Sequence, residues 1–262
     1  VALNAAGDRL AVGAVGDDDA GNTANKTGSA YLFSFSDTVF TGGILESTIG
    51  KGYTGPDDVD LANLDNSDEF GVSVSLNAAG DRLAVGAFGD DGSTAAGDRG
   101  AAYLFSFSNT DFNGGTLESI IGDGYTGPDD VDLANLDNGD SFGVSVSLNS
   151  AGDRLAVGAV GDDGAGNTAN QIGAAYLFGF SDTDFNGGIL ESTIGKGYTG
   201  GKNVDMVNLE NDQFGDAVSL NSTGDRLAVG APGDDGAGNG ANLSGAVYLF
   251  SFSTSATLDP SM

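Results

Sequence analysis

Three residue types that carry much of protein chemistry are missing from this chain: cysteine, histidine and tryptophan. Their absence excludes disulfide bonds, thiolate nucleophiles, imidazole acid–base catalysis and the commonest zinc ligands. Carboxylate pairs remain available for hydrolytic chemistry, but the acids recur with a sequence repeat, whereas an active site needs one asymmetric arrangement. We therefore predict that the chain is not an enzyme.

Positive charge is scarce as well. Nine Lys and Arg residues stand against 38 Asp and Glu residues, and the formal net charge is −29. Nucleic acids and anionic membranes require clustered cations, so neither is an expected partner. No apolar run approaches the ~20 residues of a membrane-spanning helix, and we expect no membrane insertion. A coat of solvated acids favours a protein that is extracellular or displayed at a cell surface.

One phrase is repeated four times along the 262 residues. Leu-Asn-Ala-Ala-Gly-Asp-Arg-Leu-Ala-Val-Gly-Ala occupies residues 3–14 and 76–87, and near-copies occupy residues 148–159 and 220–231. The copies start 73, 72 and 72 residues apart, so the chain is an array of units of about 72 residues. We predict a single repeat domain over residues 1–262. Its units are approximately 1–69, 70–141, 142–213 and 214–262, of which the first and the last are incomplete.

Within a unit the pattern predicts four antiparallel strands, which we name A to D. In unit two, residues 70–76 alternate apolar and polar side chains, which is typical of a strand (A). Residues 83–87 (B) and 101–107 (C) are apolar on both faces, and residues 116–121 form a weaker strand (D). The acidic, turn-rich stretch 122–141 is predicted to be a long surface loop.

Strands B and C lack a polar face, and this predicts how the units pack. A small sheet with two apolar faces must be covered on both sides by its neighbours, which is the burial pattern of propeller blades. We predict an all-β, β-propeller-like array of about four blades, each with four antiparallel strands. An open β-solenoid-like stack is the alternative. Phe70, Val85 and Phe105 and their repeats are expected in the shared core.

Three short motifs resemble the FG-GAP repeat, the blade unit of the integrin α-subunit propeller and of many bacterial surface proteins. Phe-Gly opens strand A at Phe70, Phe142 and Phe214, Gly-Ala-Pro closes strand B at residues 230–232, and strand C matches at residues 245–248. The longer repeated phrases are similar to tandem repeats of large bacterial filamentous-haemagglutinin-like surface proteins. The resemblance implies extracellular recognition or scaffolding, on a bacterial surface.

The calcium loop that the resemblance implies is altered in this chain. Residues 77–82 read Asn-Ala-Ala-Gly-Asp-Arg, with two alanines where the family carries acidic ligands. A hard cation needs six or more oxygen ligands, so we expect no calcium between strands A and B. The arginine of this loop recurs, and we expect it to fix the turn or to bridge adjacent blades, with binding of a ligand carboxylate as the alternative. The four copies are Arg9, Arg82, Arg154 and Arg226.

Two groups of acids recur in the loops. The first follows strand B, and the second precedes strand A, where Asp-Asn-Gly-Asp places oxygen ligands on a turn. Solvated turn acids are the favoured interpretation of both groups, and a calcium site is the alternative, which makes calcium the one cofactor to consider. The candidate metal ligands are Asp17, Asp18, Asp90, Asp91, Asp162, Asp163, Asp234 and Asp235 in the first group and Asp137 and Asp140 in the second.

The outer units of the array lead to a functional hypothesis. Unit one retains only residues 1–3 of strand A, and in unit four only residues 256–259 show a weak similarity to strand D. Because unpaired strand edges recruit other chains, we hypothesise an extracellular scaffold that associates with itself head to tail into a filament. The alternative is an adhesin-type module that recognises a glycan or a surface protein through the loops of a propeller face.

Overall fold

The computed structural model describes residues 1–93, 97–167, 171–236 and 244–252. These residues form eighteen strands joined by turns, and none of them lies in a helix. The prediction of an all-β fold is therefore confirmed. Within the same ranges no helix is long and apolar enough to cross a membrane. The segment 256–259, which echoes strand D in unit four, lies outside the described residues.

The strands form four consecutive sheets, one for each unit. Unit one contains β1 (Ala2–Leu3), β2 (Arg9–Ala14), β3 (Ser29–Ser34), β4 (Ile44–Gly50) and β5 (Val59–Asp60). Unit two contains β6 (Ser73–Leu76), β7 (Arg82–Ala87), β8 (Ala101–Ser106), β9 (Thr116–Gly122) and β10 (Val131–Asp132). Unit three contains β11 (Phe142–Leu148), β12 (Arg154–Ala159), β13 (Ala174–Gly179), β14 (Ile189–Gly195) and β15 (Val204–Asp205). The described part of unit four contains β16 (Ala217–Leu220), β17 (Arg226–Ala231) and β18 (Ala246–Ser251).

Each sheet keeps its strands in sequence order. In units one to three the first four strands pair antiparallel, as expected for strands A to D, and a fifth strand of two residues pairs parallel with the fourth. The expectation of four strands per blade missed this fifth strand, which lies in the stretch expected to be a surface loop. Its position is fixed by Asp58, which accepts the N–H of Thr48 at 2.7 Å immediately before Val59 pairs with Ile49.

Three hydrophobic cores hold the array together, and each lies at the junction between two consecutive sheets. The first core joins Ala30 and Leu32 of unit one to Phe70, Val85 and Phe105 of unit two. The second and third cores join the corresponding positions of units two and three and of units three and four. Since strands B and C are apolar on both faces, each sheet packs forward on one neighbour and backward on the other. This is the β-propeller-like packing that the sequence predicts.

The first strands of consecutive sheets also contact one another. The turn after each of them donates one backbone hydrogen bond to the next unit, from Ala5 to Ala78, from Ala78 to Ser150 and from Ser150 to Ser222, each at 3.1 Å. Serine hydroxyls on the same strands accept further N–H groups from the next unit. Every unit therefore meets its successor in the same orientation, through backbone contacts as well as through an apolar core.

Candidate functional site

The Phe-Gly pair that opens strand A forms the tightest contact of each junction. Phe70 is fully buried and packs edge-to-face on Tyr103 and Phe105, with ring centroids 5.4 and 6.2 Å apart. Gly71 follows at a φ of 92°, a left-handed conformation that favours glycine, and its carbonyl faces Gly13 of the preceding unit. A Cβ atom on Gly13 would lie 1.7 Å from that oxygen, so neither glycine can be enlarged without moving a sheet. Phe142 and Phe214 are fully buried in the same position at the next two junctions.

A repeated arginine joins strand B of one unit to the hairpin between strands C and D of the next. The guanidinium of Arg9 donates from Nε to the carbonyl of Thr110 at 2.5 Å and from Nη2 to the carboxylate of Asp111 at 2.6 Å. Arg82 makes the same two contacts with Thr183 and Asp184, each at 2.5 Å. Both side chains are largely buried, which strengthens a charge-assisted hydrogen bond relative to one in water.

The other two arginines lie in different surroundings. Arg154 donates from Nη1 to Glu191 of its own unit at 2.8 Å, and its side chain is 36% exposed, compared with 13% for Arg82. Arg226 is exposed on unit four. The hydrogen bonds from Thr223 and Asn221 lower the pKa of the neighbouring Asp225, and the charge of Arg226 adds a smaller lowering.

The first aspartate after strand B is held by two tyrosines. In unit two, Asp90 accepts hydrogen bonds from the hydroxyls of Tyr103 at 2.5 Å and Tyr125 at 2.9 Å and from the N–H of Gly92 at 2.8 Å. Burial raises the pKa of Asp90, and the hydrogen bonds from both tyrosines and Gly92 oppose that shift. The equivalent groups are Asp17 with Tyr31 and Tyr53, Asp162 with Tyr176 and Tyr198 and, in the described part of unit four, Asp234 with Tyr248.

The second aspartate of each pair closes the loop between strands B and C. Asp91 accepts the N–H of Gly97 at 3.0 Å, and the same bond is made by Asp18 with Lys26 and by Asp163 with Gln171. Asp235 occupies the equivalent position in unit four. Each of the three bonds spans the loop, so this acid sets the path of the chain between two strands.

In units two to four a third buried aspartate, Asp68, Asp140 or Asp212, approaches the cluster from the segment that precedes strand A. The Asp140 carboxylate accepts the N–H of Asp137 at 2.8 Å, and its carbonyl accepts the N–H of Gly161, which adjoins Asp162. Burial raises the pKa of Asp140 to about 7, the hydrogen bond from Asp137 opposes the shift, and the charge of Asp162 adds to it. Asp68 stands in the same relation to Asp90 of unit two, and burial likewise raises its pKa to about 7.

The candidate metal ligands are thus brought together in part. Asp140 lies close enough to Asp162 and Asp163 for their charges to interact, whereas Asp137 contributes its backbone N–H to this network. Among the described residues, no group of three or more acidic side chains is arranged to hold a metal ion. The oxygens of the first aspartate already accept hydroxyl and N–H groups, so the cluster acts as a hydrogen-bonded centre for its loop. Calcium binding by these acids stays a prediction.

The tyrosine partners of these aspartates are not anticipated from the sequence, although a signal is present there. In units one to three an aspartate is followed by a tyrosine 13 or 14 residues later, and a second tyrosine stands 22 residues beyond the first. A tyrosine that is buried usually finds a partner for its hydroxyl. The repeated spacing therefore identifies which acid that partner is.

The sequence profile of the FG-GAP repeat matches the chain at residues 63–105, 135–178 and 208–250. Each match starts before strand A and ends in strand C, so it contains the Phe-Gly pair, strand B and the first aspartate with its strand C tyrosine. No curated protein matches the chain.

FG-GAP repeats are structural or binding repeats, are not typically enzymatic, and typically occur in extracellular or surface proteins. The residues that the profile matches are also the ones that close the junctions, since Phe70, Phe142 and Phe214 each lie inside one matched segment. The chain is therefore an FG-GAP repeat protein.

Proposed function

We propose that this chain is an extracellular structural repeat protein whose molecules associate head to tail. The family's usual extracellular location supports the first part, together with a surface of solvated acids and the lack of cysteine and histidine chemistry. The second part follows from the two faces that the internal junctions use. We name them the front face, which each sheet turns toward the preceding unit, and the back face, which it turns toward the next.

The observation that carries the proposal is the exposure of one copy of each face. On the back face of unit four, Val247 and Leu249 are 70% and 80% exposed, whereas the equivalent Ala102 and Leu104 of unit two are fully buried. On the front face of unit one, Phe40 is 53% exposed, whereas its equivalents Phe112 and Phe185 are fully buried. Exposed apolar patches of this kind mark interaction sites. The two faces already fit each other three times within the chain.

The backbone contacts between units support the same orientation. Each turn after strand A donates its N–H to the carbonyl of the next unit, so Ser222 of one molecule would donate to Ala5 of a second molecule. The arginine contact is only partly available, because Thr38 stands where Thr110 does but Val39 replaces Asp111. We therefore expect the contact between molecules to be weaker than the junctions within one, and to depend on concentration.

Sedimentation velocity over a range of protein concentrations tests this proposal, and electron microscopy of the same samples shows the shape of the product. We expect a sedimentation coefficient that rises with concentration and end-to-end particles. Leu249→Asp should abolish the rise, because it places a charge in the apolar contact. Val207→Asp is the matched control, since Val207 is exposed in the segment before strand A and belongs to none of the three hydrophobic cores. A compact monomer at all concentrations would contradict the proposal.

A second candidate function is binding of a small ligand or a surface glycan by a single unit. The observation that favours it is the different environment of Arg154, described above, in a chain whose other units resemble one another closely. Binding by one unit and association between molecules use separate surfaces, so both functions are compatible.

A further inference from the structure

A small cavity opens on unit three beside Arg154. Its volume is about 230 Å³, and its lining includes Arg154, Gly179, Phe180, Ile189 and Glu191. Ile189 is strongly exposed, so the cavity has an apolar flank next to charged groups. The cavity lies on the side of unit three that faces the next unit. At the first two junctions, the hairpin between strands C and D of the next unit contacts the arginine on that side.

At the two equivalent positions in units one and two, the hairpin of the next unit occupies the space beside the arginine. Arg82 keeps Nη1 for the carbonyl of Asp81 in its own unit and uses Nε and Nη2 for the carbonyl of Thr183 and the carboxylate of Asp184. Arg9 divides its donors in the same way between its own unit and the next. The arginine at this position thus binds two oxygens of the neighbouring hairpin, a backbone carbonyl through Nε and a side-chain carboxylate through Nη2.

Unit four does not encode that carboxylate. Counting from the phenylalanine that follows strand C, Phe107 in unit two and Phe252 in unit four, the position of Asp111 is taken by Ala256. Arg154 uses Nη1 for a partner in its own unit, here Glu191, as Arg9 and Arg82 use Nη1 for a backbone carbonyl. In those two copies the other edge of the guanidinium, Nε and Nη2, binds a carbonyl oxygen and a carboxylate oxygen of the next unit.

Two further sequence changes in unit three alter which charged groups lie beside this arginine. In units one and two a serine of strand C donates to the glutamate of strand D, from Ser34 to Glu46 and from Ser106 to Glu118. Gly179 replaces that serine, and a Cβ there would lie 2.9 Å from Oε1 of Glu191, so the glycine allows this carboxylate to reach Arg154.

The second change concerns the segment before strand A. Lys202 replaces the aspartates at positions 57 and 129, and its Nζ lies 3.6 Å from Glu191. Asn203 likewise replaces the aspartates at positions 58 and 130, so this segment of unit three has one cation more and two acids fewer than its copies. In a chain of net charge −29, Arg154 and Lys202 here balance the charges of Glu191 and Asp153.

We propose that this cavity binds the carboxylate of a small ligand, with Nε and Nη2 of Arg154 as donors, Lys202 as a second cation, and Phe180 and Ile189 against the apolar part of the ligand. Glu191 is a positioning residue that holds the guanidinium through Nη1. The proposal goes beyond head-to-tail association and does not depend on it. Because the remainder of the chain repels anions, binding weakens as the ligand gains charge and as salt screens the two cations.

Two kinds of small molecule present such a carboxylate, an acidic sugar and an aspartyl peptide, and a titration followed by calorimetry or amide chemical shifts separates them. The sugar arm compares glucuronate with neutral glucose. The peptide arm compares a blocked Asn-Thr-Asp-Phe peptide, the sequence of residues 109–112, with its Asn-Thr-Asn-Phe analogue. We expect saturable binding of at least one carboxylate probe and at least roughly tenfold weaker binding of its neutral match, about 1.4 kcal/mol.

Variants assign that binding to unit three. Arg154→Lys keeps the charge but removes the fork, and Lys202→Asp restores the residue of units one and two; each should weaken the carboxylate probe about tenfold. Lys26→Asp makes the same charge change on an exposed lysine of unit one and should leave binding unchanged. Equal thermal unfolding temperatures confirm that the variants fold. The proposal is overturned if neither carboxylate probe binds, if the neutral matches bind equally well, or if both unit-three variants bind like the parent chain.

Discussion

The junctions between units and the acidic loops are both repeated along the chain, but different forces stabilise them. At a junction, glycine backbones touch and aromatic rings interlock, so apolar burial and steric fit dominate. In a loop, Asp90 collects two tyrosine hydroxyls and a backbone N–H, so hydrogen bonds to a buried charge dominate. A change at a junction should therefore separate two units, whereas a change in a loop should act on one unit and depend on pH.

The two regions also differ in how they tolerate variation. Units one and three reach a carbonyl of the segment before strand A with a lysine at the end of strand D, Lys51 and Lys196. Unit two has an aspartate there, Asp123, and makes the bond from Arg99 instead, at 3.2 Å to the carbonyl of Leu136. The donor moves from the residue after strand D to the loop before strand C, and a hydrogen bond to the equivalent carbonyl is kept. Among the described residues the glycine contacts at the junctions offer no such exchange, because two touching backbones leave no side chain that another residue could replace.

The largest effect is expected from removal of a junction aromatic ring. Phe142→Ala leaves a cavity between Tyr176 and Phe178 at the centre of the second core, and we expect a loss of about 4 kcal/mol in the free energy of unfolding. Phe40→Ala is the control on an exposed face, with an expected loss below about 1 kcal/mol. Urea unfolding of both variants measures the difference. Similar losses would mean that the junctions are no more important than the outer face.

The next effect is steric. Gly86→Ala places a Cβ 1.8 Å from the carbonyl of Gly143, so the two sheets must separate, and we expect a loss of about 3 kcal/mol. Gly230 occupies the same position in unit four, where the nearest atom to a new Cβ is the Ala217 side chain at 3.5 Å. Gly230→Ala should therefore change the free energy of unfolding, measured for both variants by thermal unfolding, by only a few tenths of a kcal/mol. A tolerant Gly86→Ala variant would contradict the close approach.

The main strands could be predicted from the sequence because their signals are local and repeated. Phe70, Val85 and Phe105, expected in the core, are fully buried. The fifth strand could not be predicted, since two residues carry no periodicity and Val59 pairs only after Asp58 has bound the N–H of Thr48. The sequence indicates that Asp58 is a solvated turn residue, whereas in the structure its hydrogen bond accompanies the strand pairing.

Parts of the candidate site needed the geometry of two units together. Arg9 finds Asp111 at a distance of 102 residues along the chain, and nothing in the sequence near either residue indicates which hairpin the arginine meets. The aspartate and tyrosine clusters are less predictable than the main strands and more predictable than the arginine contact. Their spacing repeats in the sequence, but their contact depends on the position of the loop over strand C. Sequence repetition reveals which residues recur, and the sheet arrangement determines which of them touch.

The acidic loops should make stability depend on pH. In the folded chain the pKa values of Asp68 and Asp140 are about 7, above the ordinary value of 3.8. The folded state therefore holds protons that the unfolded state releases between these values, and the free energy of unfolding falls as pH rises from about 4 to about 7. After allowance for solvent screening we expect on the order of 1 kcal/mol per carboxyl. Thermal unfolding at pH 5 and pH 8 measures this.

Asp68→Asn isolates one of these sites. The amide oxygen can still accept the N–H of Asp65, but it carries no charge, so the variant should be less sensitive to pH between 5 and 8 and at least as stable as the parent at pH 8. Asp98→Asn, at an exposed position, is the control and should leave the slope unchanged. A parent chain that is more stable at pH 8 than at pH 5 would contradict this prediction. It would mean that ionisation of Asp68 does not lower the free energy of unfolding and that the loop is more open to water than its burial indicates.

The smallest effect is expected from removal of calcium. The loop between strands A and B has alanines in place of acids, and the side-chain amide oxygen Oδ1 of Asn77 already accepts the N–H groups of Gly80, Asp81 and Arg82. The first aspartate after strand B is likewise saturated by its tyrosines. Stabilisation by a bound ion grows with its concentration over its dissociation constant, so weak binding adds less than about 1 kcal/mol. The unfolding temperatures with a chelator and with millimolar calcium should therefore agree closely.

A large drop in unfolding temperature with the chelator would show that Asp68, Asp90 and their equivalents share an ion. In that case Asp68→Asn would lower stability instead of raising it.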